Sequence, residues 1–427
     1  METFSTIIFF IAVAHAFFSD KFLKIAHKFE APSKRGFAYV GFAFLGNVAI
    51  IFGFWMIPIL LYMLIMQGVS PTYDFLHSMD FREPFAYFVL ITLAMTRPLR
   101  QLFESLMIRM SHSVKHQLIF WWCGTILFSS ILTGIFSEIA IMTLACLYLA
   151  EKFFPLKPGR SLSYFTLALL LVGISIGTTI IPVNFTFLID FLTQGKISHW
   201  EIFRLFGWKM LIGLVVIILG GALLFRKELD SLQKTFKKAG KPPRISSREI
   251  IYGLLFFTAS FGKGNMYLLL MVIAIVIILH KYPYRIKGEE GELSLYIPLL
   301  IAFFTYTLEL HASLQAWWVT PLLERLQGGS AYVTTFFLTG LNEHVPLEAL
   351  KVSLQGKAEG IKFFSYLAVL TGGGLTIIAK SANIVAKKTL IEHFPDRVIS
   401  PFRHLLVAVP LAAIVFGLGA LFHCLGL

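Results

Sequence analysis

Two glutamates stand inside long apolar stretches of the sequence, where an ionised side chain is costly. Glu138 follows Ser137 in one stretch, and Glu343 lies between Asn342 and His344 in another. Carboxylate and amide oxygens bind hard cations such as sodium, and a buried carboxylate also binds a proton. Such a group holds either a proton or a cation, and exchange follows from that competition. The residue types therefore predict ion-binding chemistry, with Glu138, Asn342 and Glu343 as sodium ligands.

Each glutamate is followed downstream by a second polar interruption of an apolar stretch. One covers Ser175 to Thr179, and the other covers Thr371 to Asn383 and contains three adjacent glycines. Backbone leaves the helix at membrane depth only where protein or a water-filled cavity satisfies its polar groups, so we expect both interruptions to line the site. Close helix packing would explain the glycines instead, and back-bonding to their own helix would explain the threonines. The candidate substrate- or ion-binding residues are Ser137, Glu138, Ser175, Gly177, Thr178, Thr179, Asn184, Asn342, Glu343, His344, Gly373, Gly374, Thr376, Lys380 and Asn383.

Three of these side chains have alternative interpretations. His344 titrates near neutral pH and would relay protons or sense pH, or it is a packing histidine. Lys380 would replace a bound cation beside Glu343 or Glu138, attract an anionic substrate, or extend to the membrane interface as plain structure. Glu138 would bind the ion, or it would cap the tip of a hairpin by accepting hydrogen bonds from backbone donors.

The two pairs of interruptions occur in the same order in the two halves of the chain. Leu132–Ala140 aligns without gaps on Leu338–Pro346, and Ser175–Ile181 aligns on Gly372–Ile378. These matches predict an internal duplication. Paired interrupted segments in two halves are typical of the midplane binding site of a secondary transporter.

Composition places the chain in the membrane. Of its 427 residues, 57% are hydrophobic and 14% are charged, whereas soluble proteins carry roughly 25% charged residues. The net charge of +13 is interpreted as loop charge retained in the cytoplasm, and not as a nucleic-acid-binding surface. The three cysteines lie in apolar runs and predict no disulfide framework. A phosphate-cradling loop, a His-Glu-x-x-His motif and a nucleophile elbow are all missing from the sequence, so neither an enzyme nor a cofactor is expected.

The fold predicted by this pattern is an all-α polytopic membrane protein. It consists of two inverted repeats of about five spans each, and each repeat contains a re-entrant hairpin and a broken transmembrane helix. The first repeat is expected at 1–225, with a hairpin at 118–154 and a broken helix at 161–192. A basic cytoplasmic linker is expected at 226–249. The second repeat is expected at 250–427, with a hairpin at 330–357 and a broken helix at 361–392. An odd number of spans in each repeat forces the two repeats into opposite orientations.

Some individual spans follow from apolar runs that are long enough to cross a bilayer. We expect spans at 4–18, 37–66 and 85–108, and an interfacial amphipathic helix at 312–327. The acidic loop near 67–84 belongs outside, because Lys and Arg are concentrated in the loops that are expected inside.

Several segments match the motifs of a known family. Ser137–Thr143 is similar to its Thr-Glu-Pro-Ala-Ala-Met-Thr segment, Ile174–Thr179 to Ile-Ser-Ile-Gly-Gly-Thr, Phe206–Lys209 to Phe-Gly-Trp-Lys, Trp317–Leu323 to Trp-Trp-Leu-x-Pro-Leu-Leu, and Gly372–Ala379 to Gly-Gly-Gly-Leu-Thr-Val-Ile-Ala. On these residues the chain resembles the putative sodium/proton antiporter family of the ion transporter superfamily. The resemblance covers nearly the whole length of the chain. The superfamily also includes arsenite, citrate and dicarboxylate carriers. The chain departs from the family at Asn342–His344, where the family has Asn-Asp-Asn, and at Lys380–Asn383, where the family has Asn-Ala-Pro-Asn.

The resemblance implies a secondary active transporter, a sodium or other monovalent cation/proton antiporter that works by alternating access around a midplane carboxylate site. It also implies a homodimer in the lipid bilayer, and we expect a bacterial inner (cell) membrane protein with small inorganic ions as its partners. Two alternatives remain open at this point. One is an anion or organic-acid transporter of the same fold, and the other is a non-transporting membrane scaffold.

Overall fold

The computed structural model of the chain is all-helical over the residues it describes. These are 1–30, 36–112, 118–183, 198–236, 244–281, 293–326, 328–354 and 357–426. Within them, five helices are long and apolar enough to cross a membrane, or seven if each of two bent helix pairs counts as one span. The predicted helical class is confirmed.

The first half of the chain runs from the amino terminus to the basic linker. Its helices are α1 (Glu2–Phe17), α2 (Ser19–Lys28), α3 (Phe37–Leu45), α4 (Val48–Gln67), α5 (Val69–His77), α6 (Arg82–Met95), α7 (Arg97–His112), α8 (Leu118–Leu132), α9 (Glu138–Lys152), α10 (Arg160–Gly177) and α11 (His199–Leu224). The turn between α8 and α9, at 133–137, lies where the first hairpin is expected. The second part of the first broken helix, 184–192, falls outside the described residues.

The second half begins after a short helix of the linker, α12 (Arg226–Gln233). Its helices are α13 (Ser247–Phe261), α14 (Met266–Lys281), α15 (Tyr296–Ser313), α16 (Ala316–Arg325), α17 (Gly329–Leu341), α18 (His344–Ser353), α19 (Glu359–Gly372), α20 (Ser381–Leu390) and α21 (Pro401–Cys424). α17 and α18 lie in the segment 330–357, where the second hairpin is expected. α19 and α20 lie in the segment 361–392, where the second broken helix is expected, and residues 373–380 between them are not helical.

The two halves repeat the same packing relations around their hairpins. α8 packs along α10 in the first half, and α17 packs along α19 in the second. In the first half the N–H of Val183 donates to the Gly134 carbonyl at 2.9 Å, and in the second the N–H of Glu343 donates to the Ala379 carbonyl at 3.1 Å. Each hairpin turn is therefore tied by a backbone hydrogen bond to the break of its own half.

Glycine makes the close approach of hairpin and broken helix possible. A Cβ on Gly177 would lie 2.0 Å from the Ser130 carbonyl oxygen of α8, and a Cβ on Gly372 would lie 2.6 Å from the Phe336 carbonyl oxygen of α17. Real Cβ atoms do not approach backbone oxygens so closely, so a larger residue would force the helices apart.

Two expected spans are divided in the structure. The run 37–66 breaks into α3 and α4 at Gly46 and Asn47, where Asn47 adopts extended backbone. The run 85–108 was expected to cross the membrane as a single helix, but α6 ends at Met95 and Thr96 adopts extended backbone with ψ of 143°. The cause is Pro98, which lacks an N–H and whose ring would clash with the carbonyl of the preceding helical turn. α7 therefore starts a new helix, one that carries Arg97, Arg100 and Arg109. The corresponding bend between α15 and α16 measures 61°, and α16 lies within the expected interfacial helix.

Replacing Gly177 with Ala is expected to lower the melting temperature of the purified protein. Over-packing of this kind costs about 1–3 kcal/mol, because the new methyl group meets a helix backbone and not a flexible side chain. The control is Gly124→Ala in α8, since a Cβ at Gly124 meets no atom within 4 Å. There the better helix propensity of Ala, worth about 1 kcal/mol, should leave the melting temperature equal or raise it. Equal melting curves for the two variants would contradict the packing argument.

Candidate functional site

Three helix N-termini converge on the predicted site residues. α9 begins at Glu138, α18 begins directly after Glu343, and α20 begins directly after Lys380. The three helices begin at these residues because the chain leaves the helical conformation at each break and then resumes it. The N-terminus of a helix carries a partial positive charge, which favours negative side chains in the first turn.

The side chains at these helix starts form one charged cluster. The Lys380 Nζ atom lies 3.2 Å from Glu138 Oε2 and 2.9 Å from Glu343 Oε2. All three side chains are largely buried, with exposed fractions of 12% for the lysine, 16% for Glu138 and 15% for Glu343. We name Glu138, Lys380 and Glu343 the ionic triad. It joins the first hairpin, the second hairpin and the second broken helix.

The ionic triad balances the cost of burying charge. Removing an ion from water costs several kcal/mol even after the protein relaxes, and here each carboxylate lies within ion-pairing distance of the ammonium. Two carboxylates face one ammonium, so the ionised triad carries one unpaired negative charge. The three helix N-termini are placed to stabilise that charge.

Gly373 makes room for the lysine side chain. A Cβ on Gly373 would lie 2.4 Å from Lys380 Cε and 2.5 Å from Ser175 Oγ. Ser175 itself donates a hydrogen bond from its hydroxyl to the Leu370 carbonyl at 2.8 Å, so the two broken helices touch beside the lysine. A Cβ on Gly374 would lie 2.6 Å from the Cα atom of Val172. Gly373 and Gly374 therefore permit close approach of α10 and the second break.

Side chains satisfy the carbonyls that the second break leaves without helical partners. The Asn383 amide donates to the carbonyls of Gly373 at 2.8 Å and Thr376 at 2.7 Å. The buried His404 imidazole, on α21, lies 3.2 Å from the Gly374 carbonyl. The Thr376 hydroxyl donates to the Gly340 carbonyl of the second hairpin. Asn383 and Thr376 therefore hold the shape of the break in this conformation.

Asn342 is fully buried and fixes the turn of the second hairpin. Its Oδ1 atom accepts the backbone N–H of His344 at 3.0 Å, and its Nδ2 atom donates to the Leu308 carbonyl of α15 at 3.0 Å. Asn342 thus stands beside the ionic triad with its amide group engaged in hydrogen bonds. His344 is buried next to Glu343 and within Coulombic range of its carboxylate.

Two threonines of the first break bond to their own helix, unlike Ser175, which reaches the second half. The Thr178 hydroxyl donates to the Ser175 carbonyl at 3.1 Å, and the Thr179 hydroxyl donates to the Ile176 carbonyl at 2.8 Å. Back-bonding was one of the two roles expected for Thr179. Ser137 is buried and occupies the N-cap position of α9 with extended backbone, but its side chain makes no capping hydrogen bond. Asn184 lies outside the described residues.

Two residues near the triad were missed by the sequence analysis. The Tyr87 hydroxyl donates to Glu83 Oε1 at 2.6 Å, and it lies within Coulombic range of Glu138 and Glu343. The contact between Tyr87 and Glu83 could have been predicted from the sequence, because a tyrosine four residues after a glutamate lies on the same face of a helix. Glu83 had been interpreted only as part of an outer acidic loop.

Comparison with known proteins identifies the family. A family described as a putative Na+/H+ antiporter matches residues 1–422. No curated protein matches the chain significantly. The apolar helices of the fold fit an integral membrane transporter, and the family covers both hairpins and both breaks. The chain therefore belongs to the putative Na+/H+ antiporter family.

Proposed function

We propose that this protein is a secondary active antiporter that exchanges sodium or another monovalent cation for protons at the ionic triad. The observation that carries the proposal is the position of the Lys380 ammonium, which contacts the carboxylates of both Glu138 and Glu343. An ammonium held by two buried carboxylates occupies the place that a transported cation needs. The competition expected from the sequence then takes place between three cations, which are the lysine ammonium, a proton and the transported ion.

The exchange conserves charge at each step. A cation that enters the triad takes the carboxylate oxygens of Glu138 and Glu343 as ligands, and the Lys380 side chain withdraws from them. Release of that cation on the other side leaves the carboxylates to bind a proton there. Loss of that proton on the first side lets the ammonium return to them, so one proton moves for each cation. Ser175 and Gly373, which lie against the lysine, define where its side chain rests. Asn342 and Asn383 keep the turn and the break in shape.

We further propose that the two halves are inverted repeats that alternate access to the triad. The first repeat covers 1–225, the second covers 250–427, and a basic cytoplasmic linker at 226–249 joins them. The packing of α8 along α10 and of α17 along α19, with a backbone hydrogen bond between turn and break in each half, supports this arrangement. The hairpins and broken helices would move as a unit against a scaffold, in a homodimer of a bacterial inner membrane.

An anion or organic-acid transporter is the second candidate. The observation that favours it is the convergence of three helix N-termini beside Lys380, a pattern that suits an anionic group. Against it, the same N-termini already face the carboxylates of Glu138 and Glu343, and the lysine is paired with both. Cation exchange therefore has stronger support.

Reconstitution into proteoliposomes tests the proposed function directly. With an imposed pH gradient, the wild-type protein should exchange sodium, lithium or potassium for protons. Glu343→Gln should reduce that exchange at least about tenfold, because an amide neither binds the exchanged proton nor carries the charge that attracts a cation. The control is Asp230→Asn, which removes an exposed carboxylate on α12 and should leave exchange unchanged. Absence of cation-dependent proton flux in the wild type, together with uptake of organic anions, would favour the second candidate.

Removal of the lysine ammonium tests whether it stands in for a cation. Lys380→Met leaves two buried carboxylates unpaired, and breaking a buried ion pair costs about 3–5 kcal/mol. The variant should therefore melt at a lower temperature than the wild type. Sodium should restore more stability to it than to the wild type, because a ligand that binds only the folded state stabilises that state by mass action.

The matched control for this measurement is Lys209→Met, which removes another buried lysine, on α11. Lys209 Nζ lies 4.9 Å from the centre of the Phe363 ring, and none of the carboxylates in the described part of the chain forms an ion pair with it. Its variant should show the same sodium response as the wild type. If Lys380→Met gained no sodium response but lost stabilisation by an organic anion, the lysine would be an anion-binding group.

A further inference from the structure

A line of protonatable oxygens leads from the ionic triad toward the acidic loop near 67–84. Tyr87 and Glu83 lie on one face of α6, four residues apart, and their side chains are joined by the 2.6 Å hydrogen bond. Glu83 belongs to the first turn of α6, at the end of the helix that adjoins the loop. α6 packs against α9, the helix that begins at Glu138. Tyr87 is thus bonded to the loop carboxylate and lies on the helix that packs against α9.

The tyrosine hydroxyl is electrostatically linked to both ends of this line. Glu83 acts on it through the hydrogen bond, and Glu138 and Glu343 act on it through their charges. A hydroxyl donates one proton and accepts another, so it passes a proton on without a net change of its own charge. No carboxylate does this while ionised, because an ionised carboxylate only accepts hydrogen bonds.

A second carboxylate lies beside Glu83 on the neighbouring helix. Glu309 of α15, which packs along α6, is within Coulombic range of Glu83, Asp80 and Glu348. Its Oε1 atom is removed from solvent, and none of the residues that the structure describes donates a hydrogen bond to it. A buried acceptor without a donor is costly, and a proton carried by the carboxyl group would relieve that cost.

The aspartate of the same loop is less suited to carry protons. Asp80 accepts hydrogen bonds from Arg82 at 2.8 and 2.9 Å. The side-chain hydrogen bonds from Arg82 outweigh the opposing effect of burial and hold the pKa of Asp80 below its ordinary value. Asp80 therefore stays ionised at neutral pH and serves as a fixed negative charge at the outer end of the line.

We propose that Tyr87 is a proton-relay residue that connects the ionic triad with Glu83 and Glu309 on the side of the acidic loop. This inference rests on the proposed antiport function and assigns the proton path in the conformation described here. In the relay step the Tyr87 O–H bond breaks as its proton moves to the Glu83 carboxylate. In the same step the tyrosine oxygen forms a new O–H bond with a proton that leaves the triad through water. The tyrosine ends neutral, and one proton has moved from the triad to Glu83.

The test separates proton-coupled exchange from exchange of one cation for another. Tyr87→Phe keeps the ring and removes only the hydroxyl, and Glu83→Gln removes the proton acceptor while leaving an oxygen that Tyr87 can bond. Both variants are reconstituted in proteoliposomes, where sodium/proton exchange under a pH gradient and sodium/sodium exchange at equal pH are measured. Sodium/proton exchange should fall about tenfold or more in both variants. Sodium/sodium exchange should stay within about twofold of the wild type, since it needs no proton relay.

The control is Tyr148→Phe on α9. Its hydroxyl accepts a hydrogen bond from the Trp121 indole at 3.1 Å and faces Glu104 and Glu151 instead of the triad. It should leave both exchange rates near those of the wild type. An equal loss of both rates in Tyr87→Phe would assign the tyrosine a structural role, and unchanged proton exchange in both test variants would also overturn the relay. A wild type without cation/proton exchange would instead refute the proposed function itself, and with it the relay.

Discussion

The ion pairing of one buried ammonium with two carboxylates is the interaction on which the rest of the site depends. Lys380 reaches Glu138, which lies in the other half of the chain, and Glu343, which lies in its own half. A buried ion pair is costly unless its geometry is good and its remaining groups are bonded. The hairpin turns and the broken helix supply that geometry, because each places a charged residue at a helix N-terminus. The breaks in the helices are therefore the structural condition for the ionic triad.

The irregular backbone near the triad is held mainly by protein groups. Carbonyls of Leu370, Gly373, Gly374 and Thr376 all lie within hydrogen-bonding distance of a side chain. In lipid an unsatisfied carbonyl costs several kcal/mol, so these side chains stabilise an open backbone without water. Each of these carbonyl oxygens keeps one free lone pair, but the hydrogen bond to a side chain already fixes the direction in which the carbonyl points. In the proposed exchange the carboxylates are therefore the groups that change their bound cation, whereas the carbonyls stay in fixed positions around the site.

Local features of the site were predictable from sequence, and long-range pairings were not. The breaks follow from glycine and polar residues in apolar runs, and the division of the run 85–108 follows from Pro98, whose effect is also local. The bond between Lys380 and Glu138 joins residues far apart in the chain, and the sequence left three roles for the lysine open. The partner of a break carbonyl is equally unpredictable, because His404 reaches Gly374 only through the packing of α21.

The asymmetry between the two halves decides how much charge the site carries. When the alignment of the two breaks is extended without gaps, Val183 of the first half falls opposite Lys380 of the second. Each hairpin contributes one carboxylate, yet only one break contributes a cation. Two lysines would neutralise the ionised carboxylates fully and leave nothing for a transported ion to balance. With a single lysine, one negative charge remains, and it suits one monovalent cation or one proton at a time. In the proposed exchange, the single lysine is thus what leaves the site with one negative charge for a transported ion to balance.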